Sequence, residues 1–428
     1  MFYYLFGVHV IIGRLVSLLF SVGAMFFMYG LARRFLSKIP ALSALALYAF
    51  SPMNIFFSRA FMPESSLMFF MAGSIYLFLR WLEKPSLPLY ITALIFAALT
   101  CLVKPTGVLI FVPIFSAWFI KHGWRLFQKT EFWVYMLLAI TPGVLWAIYA
   151  NYFNAKHPCE NLGFGSNWVQ LITMRGFIDL WFSPRFYKFI GGSILLLLLT
   201  PIGFIGAVAG LFCAERKRYK ILYAWLAGIV LYFYFLAGPN SGHIYYHLPL
   251  LPVAAIFFGL TVEKILERSE SIKKKMRHRL FFCSGVASVV LLLGIYIIGY
   301  VKFFDYMYSN RMPYVLEISE MIKRNTPKDR FIIDNESSLL TVVISYYSDS
   351  KAQYFYLSKK AISDLENLRA QGATTFVTME TDYGGCVQVT KDNKEFWRYL
   401  NEKYKPIAIT DHYLIFDLRI PKIQEVKK

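Results

Sequence analysis

The sequence predicts a polytopic α-helical membrane protein of about ten visible spans, ending in a small α/β domain. Three observations predict it. The 428-residue chain is 57% hydrophobic and 18% aromatic, and it holds repeated apolar stretches near the roughly 20 residues that cross a bilayer core. The loops between those stretches alternate in charge. After residue 301 the long apolar runs stop, and short helix-like and strand-like patterns replace them.

The spans are read as 10–32, 41–58, 64–82, 88–103, 105–120, 132–152, 189–213, 220–237, 245–265 and 280–300. One set of connections reads "ARRFLSK", "RWLEK", "KHGWRLFQK", "ERKRYK" and "ERSESIKKKMRHR". The other holds "SRAFMPE", the junction "VKPTG", a long loop over 153–188, and "GPNSGHIYYH". Basic loops stay on the cytoplasmic side, so the second set faces outward. The formal charge of +19 has the same origin. Residues 301–428 carry 19 Lys and Arg against 17 Asp and Glu, so the excess lies in the spanning part, and no nucleic-acid partner is implied. The expected location is a bacterial plasma membrane.

The expected domains are 1–301, membrane-embedded, and 302–428, soluble and on the outer side. In the second, "PYVLEISEMIKRNTP", "SSLLTVVISYYS" and "KKAISDLENLRAQG" read as helices, the last ending at Gly372. "RFIID", "AQYFYL", "TTFVTME" and "IAITDHYLIFDL" read as strands. No Gly-rich nucleotide loop occurs there. Five cysteines show no metal-ligand spacing; Cys159 and Cys386 fall on one side of the membrane, which leaves a disulfide open to them. The opening residues show no basic stretch ahead of an apolar run, so no cleavable signal peptide is expected.

Chemistry is expected where charge interrupts apolar chain on the outer side. In "FFSRAFMPESSLMFF", Arg59 and Glu64 flank Pro63. Ionisable groups at such depth face a cavity or a partner. They read either as a structural pair capping two helix ends or as part of a binding site. Lys104, before Pro105 in "LVKPTG", sits where a helix must break, a position suited to a phosphate at headgroup depth or to a lysine snorkelling at a turn. His243, Tyr245, Tyr246 and His247 cluster in "GPNSGHIYYHLPLLP". They suit an interfacial aromatic belt, contacts to a sugar or phosphate, or, if the two histidines lie one helical turn apart, a metal.

Four strings in order, "GRLVSLLFSVGAMFFMYGLARRF", "LYAFSPMNIFFSRAFMPESSLMFFMAGSIYLF", "LVKPTGVLIFVP" and "HIYYHLPLLPVAAIFFG", resemble the membrane glycosyltransferases of the C superfamily. The nearest branch is that of protein mannosyltransferases and aminoarabinose transferases. The resemblance covers residues 10 to 265. It implies an inverting transfer of sugar from a polyprenyl-phosphate donor to a protein, lipid or glycan acceptor at the outer face, within membrane lipid. It firmly requires no cofactor and leaves a divalent metal open. By motif, Arg59 and Glu64 match the family's polar pair in its second outer loop, Lys104 its phosphate-contacting lysine, and His243 to Tyr246 its outer histidine–tyrosine segment. The family's catalytic carboxylate lies in the first outer loop, ahead of the position matched by Met1, and Glu64 matches a different position. The loop alternation also puts Met1 outside with no span before it. Either the chain is naturally N-out, or a first span and its catalytic carboxylate precede this sequence, and a chain beginning at Met1 would then be inactive. Two other readings stay open: a transporter or flippase of lipid-linked anions, which would show internal repeats, and a non-catalytic homologue whose outer domain binds a partner.

Overall fold

The computed structural model describes residues 9–156, 179–273, 297, 301, 314–327, 331–334, 338–355, 357, 360–379, 394–410 and 412–421. Apart from Ile297, the expected span 280–300 lies outside them, as do Cys159 and Cys386. The chain divides into two compact units, Met1–Ala150 with Ser166–Tyr308, and Asn151–Gly165 with Ser309–Lys428.

The first unit is helical. Five described helices are long and apolar enough to cross a membrane, up to seven if each of two bent pairs is one span; Leu87–Val103 and Lys220–Phe235 are shorter apolar helices. Helix α1 (Val10–Ala32) packs on α4 (Glu64–Glu83) through rings: Phe27 meets Phe69 with centroids 5.2 Å apart, and it also reaches Phe96 of the following helix at 5.4 Å.

The stretch read as one span over 41–58 is two helices, α2 (Lys38–Phe50) and α3 (Pro52–Arg59), bent by 60°. Pro52 has no N–H to continue the ladder, and Ser51 takes over the junction. Its Oγ accepts from Asn54 N at 3.4 Å and donates to the Leu198 carbonyl at 2.6 Å. The stretch 189–213 is also broken. Helix α8 (Pro184–Gly192) runs into a π-helical segment, Ser193–Leu198, and then turns by 102° into α9 (Thr200–Cys213). Thr200 has φ +61°, a left-handed conformation that a β-branched residue adopts only when its surroundings impose it. Pro201 follows, another break in the ladder.

Close approach of backbones tightens the unit. A Cβ on Gly210 of α9 would lie 1.7 Å from the Phe257 carbonyl of α12 (Leu251–Lys273), so only glycine fits. Between them in sequence run α10 (Lys220–Phe235), the short α11 (Ala237–Gly242) and the 3₁₀ segment Ile244–Leu250. Helices α5 (Leu87–Val103), α6 (Phe111–His122) and α7 (Thr130–Lys156) complete the described part.

The second unit holds a five-stranded sheet in the order β2-β1-β3-β5-β4, from β1 (Phe331–Asp334), β2 (Lys351–Tyr354), β3 (Thr375–Met379), β4 (Tyr404–Ile409) and β5 (Tyr413–Pro421). Strand β1 pairs in parallel with β2 and β3, while β5 runs antiparallel to β3 and β4. Alternation along the strands covers both faces. Ile333, Phe376 and Phe416 share a core with α15 (Ala361–Ala370) and α16 (Lys394–Lys403). Their neighbours Ile332, Val377 and Ile415 share another with α13 (Val315–Asn325) and α14 (Ser338–Ser348). The stretch "IAITDHYLIFDL", read as one strand, divides between β4 and β5, joined where Thr410 Oγ1 accepts from Tyr413 N at 2.9 Å. Helix α16 was not foreseen. Gly372, at φ +104°, follows the end of α15 as expected.

Candidate functional site

The site begins at the break after α5. Pro105 lacks an N–H and forces the residue before it out of helical geometry, so Lys104 is extended, at φ −159° and ψ 139°. The chain resumes as a 3₁₀ turn, Pro105–Ile110, whose Gly107 N donates to the Lys104 carbonyl at 2.8 Å. Gly107 passes so near Thr100 that a Cβ would lie 2.3 Å from its carbonyl oxygen. The lysine is therefore held on a rigid corner.

Glu64 opens α4 immediately after Pro63, where an acid in the first turn suits the helix dipole. Only 2% of its side chain is exposed, and Lys104 Nζ donates to its Oε1 at 2.6 Å; the lysine side chain is 14% exposed. The partner of Glu64 is thus Lys104, forty residues on. Arg59 is the last residue of α3, where a cation suits the helix C-terminus, and it is exposed.

Two aromatic rings complete the surroundings of the ammonium. Lys104 Nζ lies 4.4 Å from the ring centroid of Tyr245 and 4.2 Å from that of Tyr246, distances at which a desolvated cation–π contact is worth about 2 kcal/mol. The rings hold each other at 4.8 Å. Phe57 meets Tyr245 edge-on at 5.8 Å, and Tyr232 Oη donates to the Tyr246 carbonyl at 3.1 Å. His243 is exposed and stacks on Tyr245, with centroids 5.2 Å apart and planes at 17°. Of the residues singled out by sequence, the structure joins Glu64, Lys104, Tyr245 and Tyr246 directly and His243 through Tyr245. Tyr232 and Phe57, which support that group, carried no signal beyond ordinary apolar pattern.

One atom in this group is unanswered. Glu64 Oε2 is buried and has no hydrogen-bond partner among the described residues. A carboxylate oxygen left without a donor is costly in a region of low dielectric.

The two histidines do not form the metal pair that an α-helix would allow. His243 precedes a 3₁₀ segment and His247 lies within it, fully buried with both ring nitrogens in use. Nε2 donates to the Asn240 carbonyl at 3.0 Å, which leaves Nδ1 to accept from Ser193 Oγ at 2.8 Å. With both nitrogens so engaged, the ring has no free lone pair to offer a metal. Among the described residues no group of three or more His, Cys, Asp or Glu stands close enough to share a metal.

Comparison with known proteins agrees with this architecture. Residues 1–154, which include Glu64 and Lys104, match the family model described as dolichyl-phosphate-mannose-protein mannosyltransferase. No curated protein matches the chain. Among solved structures, ArnT from Cupriavidus metallidurans bound to undecaprenyl phosphate superposes with a TM-score of 0.63 at 12% identity, covering 97% of this chain and 85% of that one. Its apo state gives 0.61 at 14% identity with the same coverage. The oligosaccharyltransferase of Archaeoglobus fulgidus, tethered to an acceptor peptide, gives 0.51 at 12% identity, over 86% of this chain and 57% of that one. With a mannosyltransferase family match over its first 154 residues and an ArnT-like course over nearly all of its length, the chain carries the fold of the C superfamily of membrane glycosyltransferases.

Proposed function

We propose that the protein transfers a sugar from a polyprenyl-phosphate carrier to a hydroxyl or phosphate acceptor at the outer face of a bacterial plasma membrane, with inversion at the anomeric carbon. The observation that carries this reading is the Lys104 ammonium, held on a helix break between two tyrosine faces, inside the segment that matches the mannosyltransferase family. The leaving group of such a reaction is a phosphate. A fixed cation in a dry, aromatic-lined place stabilises the charge that develops on it, without reorganisation at the moment of reaction. An ammonium has three donors; Glu64 takes one, and two remain for phosphate oxygens. The broken helices put this cation at a backbone corner, the kind of irregular backbone that membrane proteins tolerate where it lines a cavity. The charge alternation of the loops supports the outward orientation, and a soluble 302–428 domain on that side.

The test is a transfer assay in vesicles with a panel of undecaprenyl-phosphate sugars, following label from the lipid into protein, glycan and lipid fractions. The wild type should consume at least one donor, and Lys104→Ala should slow transfer by about 100-fold, the loss typical of one charge-stabilising donor. Consumption of none, together with no binding of undecaprenyl phosphate, would overturn the reading.

A further inference from the structure

The paired Glu64 raises a question that the phosphate-binding role of Lys104 does not answer. If the lysine serves only to hold an anion, a buried carboxylate 2.6 Å from its ammonium works against it. The pair is neutral overall, and among the described residues Glu64 Oε2 has no donor to disperse its charge. Breaking a buried pair by removing one partner is costly, and an acid suits the first turn of a helix, but neither fact requires the carboxylate to sit against the phosphate-binding lysine.

Resting on the reading above, we infer that Glu64 is a specificity-determining residue that offsets the advantage a lone lysine would give a phosphomonoester over a phosphodiester. The balance of the reaction supplies the reason. The donor is a diester with one negative charge. In transfer, the bond between the anomeric carbon and the phosphate oxygen breaks, the electron pair stays with that oxygen, a bond forms from carbon to the acceptor oxygen, and the acceptor proton leaves. The product lipid is a monoester, and with a second ionisation near pH 6 it carries close to two negative charges at neutral pH. Lys104 neutralised by Glu64 meets the diester with little net charge. The monoester's second charge is attracted by the ammonium and repelled by the carboxylate, so the pair gives it little of the gain that an unpaired lysine would. At separations of several ångströms and an effective dielectric of about 20, one extra charge is worth roughly tenfold or more in affinity. Product is then not held more tightly than substrate.

The experiment compares undecaprenyl phosphate with its methyl ester, which share a tail and differ by one ionisable oxygen, as ligands of the purified full chain in lipid nanodiscs. The wild type should bind the two lipids within about threefold of each other, and Glu64→Gln should favour the monoester by about tenfold or more. A ratio of the two affinities that Glu64→Gln leaves unchanged overturns the inference while leaving the phosphate-carrier reading intact. So does a wild type that itself favours the monoester by about tenfold or more. If the variant does not fold, the wild-type comparison decides alone. If the wild type binds neither lipid, the carrier reading falls, and this inference with it.

Discussion

At the residue scale the molecule is organised by one buried ion pair. Taking an ammonium and a carboxylate out of water is expensive, and their attraction repays it only when both are well placed. Here Lys104 Nζ is well placed, with Glu64 Oε1 at 2.6 Å and two ring faces, whereas among the described residues Glu64 finds a donor for one oxygen only. The pair should therefore behave as a unit. Lys104→Met or Glu64→Leu alone should each cost about 3–5 kcal/mol by stranding the other charge, while the double variant should be less destabilised than either. Thermal unfolding in detergent gives the three values, and additive losses would show that the two side chains are not coupled. His247 is a residue of another kind. Although it sits among the tyrosines in sequence, its ring links Ser193 to the Asn240 carbonyl, so its part is to hold α11 against the π-helical segment.

At the element scale, proline and glycine decide where helices stop, and a second polar knot holds the sheet unit. Glu366 of α15 accepts from Tyr399 Oη of α16 at 2.8 Å and from Tyr404 Oη of β4, and it pairs with Arg369 at 3.0 Å and Lys403 at 3.2 Å. Partial burial pushes its carboxyl up, but the donors from Tyr404, Tyr399, Arg369 and Lys403 outweigh that and hold it at about 2. A carboxyl depressed in the folded state contributes stability that is fully present above its ordinary value of 4.5 and is lost as pH falls toward 2. Acid unfolding should show this. The wild type should lose stability across that window, while Glu366→Gln, weaker at neutral pH, should show a flatter dependence there. Parallel curves would remove the knot from the acid response.

At the scale of the whole molecule, the unequal charge of the loops sets an orientation. The 3₁₀ segment Gly123–Gln128 belongs to the basic loops, whereas α11 leads into the tyrosines over Lys104. In a cysteine-free background, which must remove the exposed Cys213 and the buried Cys101 along with the others, single cysteines at Gly242 and Trp124 report the two sides. Both positions are exposed, and Gly242 has open space for a side chain. An impermeant maleimide should label Gly242→Cys in intact cells, and Trp124→Cys only after permeabilisation. The reverse pattern would put the Lys104 site on the cytoplasmic side and contradict the proposed direction of transfer.

The sequence by itself determined the spanning character, the positions of most helices, and which residues could carry chemistry. Apolar runs of membrane length and the cost of charge within them are local properties, readable residue by residue. That is why Glu64, Lys104 and the tyrosines stood out, and why the break at Pro105 could be named in advance. Partnership was decided only by the tertiary structure. Arg59 is five residues from Glu64 and Lys104 is forty, yet the carboxylate goes to the lysine, because the packing of α5 against α4 sets distances that chain separation does not. The bend in 189–213 was hidden for the same reason: a left-handed Thr200 and a π-helical run are conformations the local sequence disfavours, and only the surrounding helices impose them.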